Sequence, residues 1–69
     1  MKISARNTLK GKVKGITHGP VSTEVVIEVG PGIDVVSVIT SHSAQDLGLK
    51  QGSAVTAIIK ASNVLIAVD

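Results

Sequence analysis

Apolar and polar residues alternate along most of this chain with a period of two, the signature of strands with one buried face. The run Thr8 to Ile16, TLKGKVKGI, sets Leu9, Gly11, Val13 and Gly15 on one face and Lys10, Lys12 and Lys14 on the other. Two glycines on the inner face predict a sharp bend or a close backbone approach. THGP, Thr17 to Pro20, reads as a turn. VSTEVVIEV, Val21 to Val29, then alternates again, with Val21, Val25, Ile27 and Val29 opposed to Ser22, Glu24 and Glu28. GPG, Gly30 to Gly32, is a second turn, and the two runs read as a hairpin.

IDVVSVIT, Ile33 to Thr40, breaks the simple pattern. Val36 and Val38 share a face with Asp34 and Thr40, so both faces of this strand are expected to be covered. SHSAQDLGL, Ser41 to Leu49, predicts one or two helical turns, with Ser41 or Ser43 as N-cap and Gly48 as stop. After the turn KQGS come a fourth strand, Ser53 to Lys60, and a fifth, Asn63 to Asp69. The fifth carries Val64, Ile66 and Val68 on one face and Leu65 and Ala67 on the other. A small domain has one core, so the second apolar face is expected to be buried in another subunit. Strand, strand, strand, short helix, strand, strand is the plan of an all-β, five-stranded OB-like barrel. No repeat, low-complexity segment or linker divides residues 1–69, which read as a single domain.

Composition sharpens the expectation of an oligomer. The chain has 69 residues, 43% of them hydrophobic, with no cysteine and no aromatic residue. A chain of this size buries only about 60% of the surface its unfolded form exposes, and needs a staple or a partner. Disulfides are excluded, and two separated histidines, His18 and His42, do not make a cage for a bare metal cation. No run approaches the roughly 18 apolar residues of a membrane helix, and the N-terminus lacks a signal peptide's apolar core. The expectation is a cytoplasmic protein with no membrane partner.

The chemistry-bearing residues argue against an enzyme. Glu24 and Glu28 lie on an outer strand face, and His18 and His42 fit turn, surface or capping roles better than acid–base work. Single-strand nucleic-acid sites combine basic grooves with aromatic stacking platforms, and this chain has none of the latter. The donors tell a different story. SARN, Ser4 to Asn7, holds the single arginine, Arg6; KASN, Lys60 to Asn63, repeats a cation, a small residue, a hydroxyl and an amide; TSHS, Thr40 to Ser43, adds further hydroxyls. Converging hydroxyls, N–H groups and a cation are what an oxyanion requires. The same residues also serve as ordinary turn formers, Lys60 could extend into solvent, and Arg6 could pair with Asp69 or Asp34.

Taken together, SARN with NTLKGKVKGI, the run VSTEVVIEV, and SVITSHSAQDLGLKQGSAVTAIIKASNVLIA resemble a molbindin from end to end. That resemblance implies a homohexamer, a trimer of dimers, binding molybdate or tungstate between subunits for intracellular storage or homeostasis, with no organic cofactor. It implies Ser4, Ala5, Arg6, Lys60, Ala61 and Ser62 as the pocket of one subunit, completed at the dimer interface by Thr40 and Ser43 of a neighbour. A second site near the three-fold axis would involve Gly19, Val21 and Ser22, although Pro20 brings no N–H there. Alternative roles are an oxyanion-sensing regulatory module and a small nucleic-acid-binding OB protein.

Overall fold

Residues 1–69 are described by a computed structural model. The elements are β1 (Asn7–His18), β2 (Ser22–Gly30), β3 (Ile33–Thr40), the helix α1 (Ser41–Asp46) and β4 (Ala54–Ile59), followed by a single 3-10 turn, Ala61–Asn63. All four strands are antiparallel neighbours in one sheet of order β3-β2-β1-β4.

β1 organises the sheet because it has two partners in succession. Asn7 to Lys12 pair with Ile59 to Ala54 of β4, and Lys12 to His18 pair with Glu28 to Thr23 of β2. The change of partner bends the strand, and the glycines mark where. The register slips between Val13 and Gly15, which leaves Lys14 as the extra residue of a bulge. A Cβ at Gly11 would run into the carbonyl oxygen of Glu28, so only glycine fits at that crossing. The sheet therefore curls into a half-barrel.

Its concave side holds a small aliphatic core. Val13, Val25, Ile27 and Ala57 are buried there, with Ile16, Val29, Val35, Ile39, Leu49 and Val55 packed partly around them. Only six of 69 residues are buried, which is thin cover for a chain of this hydropathy. Ala44 docks α1. The sixth buried residue is Thr23, whose hydroxyl lies 2.7 Å from Ser41 Oγ. Ser41 Oγ donates in turn to the Gly19 carbonyl at 2.6 Å. Because that bond uses the serine proton, Thr23 must be the donor to Ser41.

The structure departs from the sequence expectation in four places. The fifth strand does not form: after the 3-10 turn, residues 64–69 make no ladder, and Leu65, Ile66 and Val68 are 92%, 91% and 91% exposed. Extended propensity alone makes no strand; a ladder needs a free edge within reach, and within one chain this segment leaves the sheet. The architecture is thus a four-stranded half-barrel with β3 and β4 as open edges, rather than a closed five-stranded barrel. The outer face of β3, with Val36 and Val38, is exposed rather than covered. Val21 precedes β2 and faces solvent, so Thr23 takes the inward position expected of it. Finally, the N-cap is Thr40, one residue before Ser41 and three before Ser43: its Oγ1 accepts from Ser43 N at 3.0 Å. The expected stop is where it was placed, with Gly48 at φ +63° after the last helical turn.

Candidate oxyanion site

The β1–β4 ladder brings two distant stretches of sequence together. Asn7 pairs with Ile59, and its side-chain Nδ2 also donates to the Ile59 carbonyl at 3.2 Å. Continuing that antiparallel register beyond the strand ends sets Arg6 opposite Lys60, Ala5 opposite Ala61 and Ser4 opposite Ser62. These six residues, and no others, line an open cavity of about 400 Å³. The 3-10 turn shapes its far wall: Asn63 N donates to Lys60 O at 2.9 Å and Val64 N to Ala61 O at 3.2 Å.

The cavity's electrostatics are one-sided. It holds a guanidinium, an ammonium and two hydroxyls, and no carboxylate. The alternatives for Arg6 do not materialise, because Asp34 is bound to Lys14 at 2.9 Å and Arg6 forms no bridge to Asp69. The other ion pair, His42 with Asp46 at 3.3 Å, lies on exposed α1. Two cations thus line one cavity with no internal counter-charge, and neither forms a salt bridge within the chain.

Thr40 and Ser43 are not among the lining residues; they stand at the β3–α1 junction and face outward. Thr40 Oγ1 donates to Ser43 Oγ at 2.8 Å and accepts from Ser43 N. This leaves the Ser43 hydroxyl proton free to be donated. Ser41, between them, faces the other way and ties the helix start to the Gly19–Ser22 turn, with Ser41 N also bound to Val21 O at 2.8 Å. In that turn the carbonyls of Gly19 and Val21 are therefore already engaged. Ser22 is exposed and pairs with Thr40 in the β2–β3 ladder.

The lysine row on β1 is partly neutralised by its neighbours. Lys12 stands opposite Glu28, and Lys14 crosses to Asp34. The hydrogen bond from Lys14 to Asp34, with that carboxylate's charge, raises the ammonium's pKa above its ordinary value of 10.5.

The TOBE domain matches residues 3–66, a span that includes both walls of the cavity. Molybdenum-pterin-binding protein 3 of Clostridium pasteurianum is 50% identical over 66 residues, covering 96% of this chain and 97% of its own. The chain belongs to the TOBE-domain molybdenum-pterin-binding family, the molbindins. Among solved molbindin structures, apo MopII of C. pasteurianum superposes with a TM-score of 0.91 at 45% identity, over 97% of this chain and all of its own. ModG, a cytoplasmic molybdate-binding protein captured with molybdate bound, gives a TM-score of 0.84 at 46% identity. This chain spans 43% of ModG, for which a cooperative binding mechanism has been suggested. The molbindins are binding proteins, not enzymes.

Sequence reasoning picked out all six residues that line this cavity but missed what joins its walls. Asn7 stood inside SARN with no role assigned, yet its amide clamps the end of β4 beside Arg6. A polar side chain at a strand's first residue is the signal that could have suggested it. The Thr23–Ser41–Gly19 chain of hydrogen bonds was invisible because its members lie 18 and 22 residues apart.

Proposed function

We propose that this protein binds molybdate or tungstate at the interfaces of a homo-oligomer and serves intracellular molybdenum storage or homeostasis. One observation carries the reading: Arg6 and Lys60, with Ser4 and Ser62, converge on a single carboxylate-free cavity. A tetrahedral dianion offers only acceptors, which such a donor set satisfies. Hydrogen phosphate would leave its own proton without a partner, and sulfate, of equal charge, is discriminated by size. No aromatic ring is available to stack on a pterin, which favours the bare oxyanion over a pterin conjugate. The molybdate held by ModG and its cytoplasmic description support the same ligand and compartment here.

One chain supplies only part of the site. Thr40 and Ser43 face outward beyond its cavity, so a neighbouring copy would bring them to Arg6 and Lys60. The fold supplies a reason for copies to meet. Between the open edges of β3 and β4 lies an apolar groove of about 300 Å³, walled by Val35, Ile39, Leu49, Val55 and Ile59 among others. The exposed tail Val64–Val68 has the length and alternation of the missing strand. Tail exchange between two copies would close both half-barrels, and three such dimers would make the hexamer.

Calorimetric titration tests the reading, with sulfate and phosphate as controls. Saturable molybdate binding that an Arg6→Ala, Lys60→Ala variant loses is the expected result. No heat and no thermal stabilisation from molybdate would overturn it.

A further inference from the structure

The β1–β4 ladder ends at the pair Asn7 and Ile59, and the two walls of the oxyanion cavity begin on the next residues. No hydrogen bond crosses from Ser4, Ala5 or Arg6 to Lys60, Ala61 or Ser62. The backbone bonds at this end, Asn63 N to Lys60 O and Val64 N to Ala61 O, stay within one wall. The walls also carry like charges, Arg6 on one and Lys60 on the other, with no carboxylate in the lining. Repulsion between the cations favours an open cavity, and a bound dianion draws them together. The width of the cavity is therefore set by what joins the strands at their last rung.

One side chain reaches across there. Asn7 follows Arg6, Ile59 precedes Lys60, and Asn7 Nδ2 donates to the Ile59 carbonyl at 3.2 Å. It is the only side-chain hydrogen bond between β1 and β4. Asparagine is depleted in strands, so propensity does not account for it at this position. The carbonyl asks for a donor, and the neighbouring cations ask that it bring no charge. Aspartate has the same shape but only accepts when ionised, and it would add a carboxylate beside Arg6.

We propose that Asn7 is the positioning residue that fixes the separation of the two walls, and thereby the preference for molybdate over sulfate. The inference rests on the oxyanion reading above. Both anions are tetrahedral, doubly charged and all acceptors, so donors and charge serve them alike and size separates them. Size discriminates only while the walls keep their distance. Walls free to move close on the smaller anion and recover its contacts. Asn7 lies outside the cavity lining and acts through Arg6 and Lys60.

Competition in equilibrium dialysis reads this preference. The protein is held at one saturating concentration of molybdate and constant ionic strength, sulfate is added, and retained molybdenum is measured. By mass action, the sulfate needed for half displacement is then proportional to the ratio of the two dissociation constants. In Asn7→Ala that concentration is expected to fall about tenfold, the lower end of what losing an outer partner costs a ligand site. Asn7→Asp, of the same shape as the native residue, is expected to fall at least as far, and it keeps the test open where the alanine variant does not fold. Ile27→Val trims the core at a cost similar to one hydrogen bond. It is expected to lower the urea midpoint without moving the ratio. An unchanged half-displacement concentration in either folded Asn7 variant overturns the inference, because a merely structural amide would weaken both anions in parallel. Absence of molybdate binding by the unaltered protein instead overturns the oxyanion reading, so the two failures are told apart before any sulfate is added.

Discussion

Two regions of this chain are built from the same residues and end differently. STEVVIEV in β2 and NVLIAVD at the C-terminus are both short, aliphatic and alternating. The first buries Thr23, Val25 and Ile27 between two strands, whereas the second has every residue exposed and no ladder. The difference is the supply of partners. β2 is a central strand, paired with β1 on one side and β3 on the other, each through a short turn. The tail leaves by a 3-10 turn and pairs with neither open edge. A strand is a property of an edge that accepts it as much as of the segment itself.

Removing the tail should therefore cost more than its absence from the core suggests. Truncation after Asn63 is expected to convert the oligomer to monomers, read by size-exclusion chromatography with light scattering. Full burial of each large tail residue is worth roughly 1.5–3 kcal/mol, so several kcal/mol of assembly are at stake. An unchanged oligomer after truncation would break the comparison, for the tail would then be ornamental. Ile27→Ala tests the other side. It is expected to destabilise by about 2–5 kcal/mol in urea unfolding, because a four-residue core has little capacity to repack.

The same contrast explains what was legible in the sequence. Period-two alternation located β1 and β2, and apolar runs bounded by turns located β3 and β4, because each meets its partners within the chain. Gly11 of KGKVKG announced the bend because backbone crowding against Glu28 leaves a residue-level mark, whereas Gly15 stands in open space. The six cavity residues were legible because a cation beside small hydroxyl residues is rare in so apolar a chain. The tail's fate was not legible, since alternation alone does not show that no edge within the chain takes it up. Neither was the capping role of Thr40, because both serines after it are equally good caps by residue type. Buried Thr23 was hidden for a related reason: threonine suits either face of a strand, and only Ser41, 18 residues on, makes the inward choice tolerable.

That pair gives a smaller and sharper test within the well-partnered half. Ser41→Ala is expected to cost about 1–3 kcal/mol, because it strands the Thr23 hydroxyl in the core. Adding Thr23→Val removes the orphaned group, so the double variant should recover most of the loss. Equal destabilisation of single and double variants would mean that Ser41 matters through the Gly19 carbonyl and the turn, and not through Thr23.

The smallest effect belongs to Lys14, the bulged residue that reaches across β2 to Asp34. Both groups are largely solvated, so the pair adds little at neutral pH. Its trace is in the pH dependence. A cation whose folded-state pKa lies above its unfolded value holds its proton more tightly when folded. The stabilisation is complete below the ordinary lysine value of 10.5 and disappears as pH rises through the higher folded-state value. Stability measured by urea unfolding should thus be flat in this pair's contribution from pH 6 to about 9 and fall above about 10.5. Asp34→Asn should remove that alkaline component while leaving the tail-dependent assembly intact. Loss of assembly in Asp34→Asn would instead place the outer face of β3 in a subunit contact, and would erase the distinction between a region that folds alone and a region that waits for a second copy.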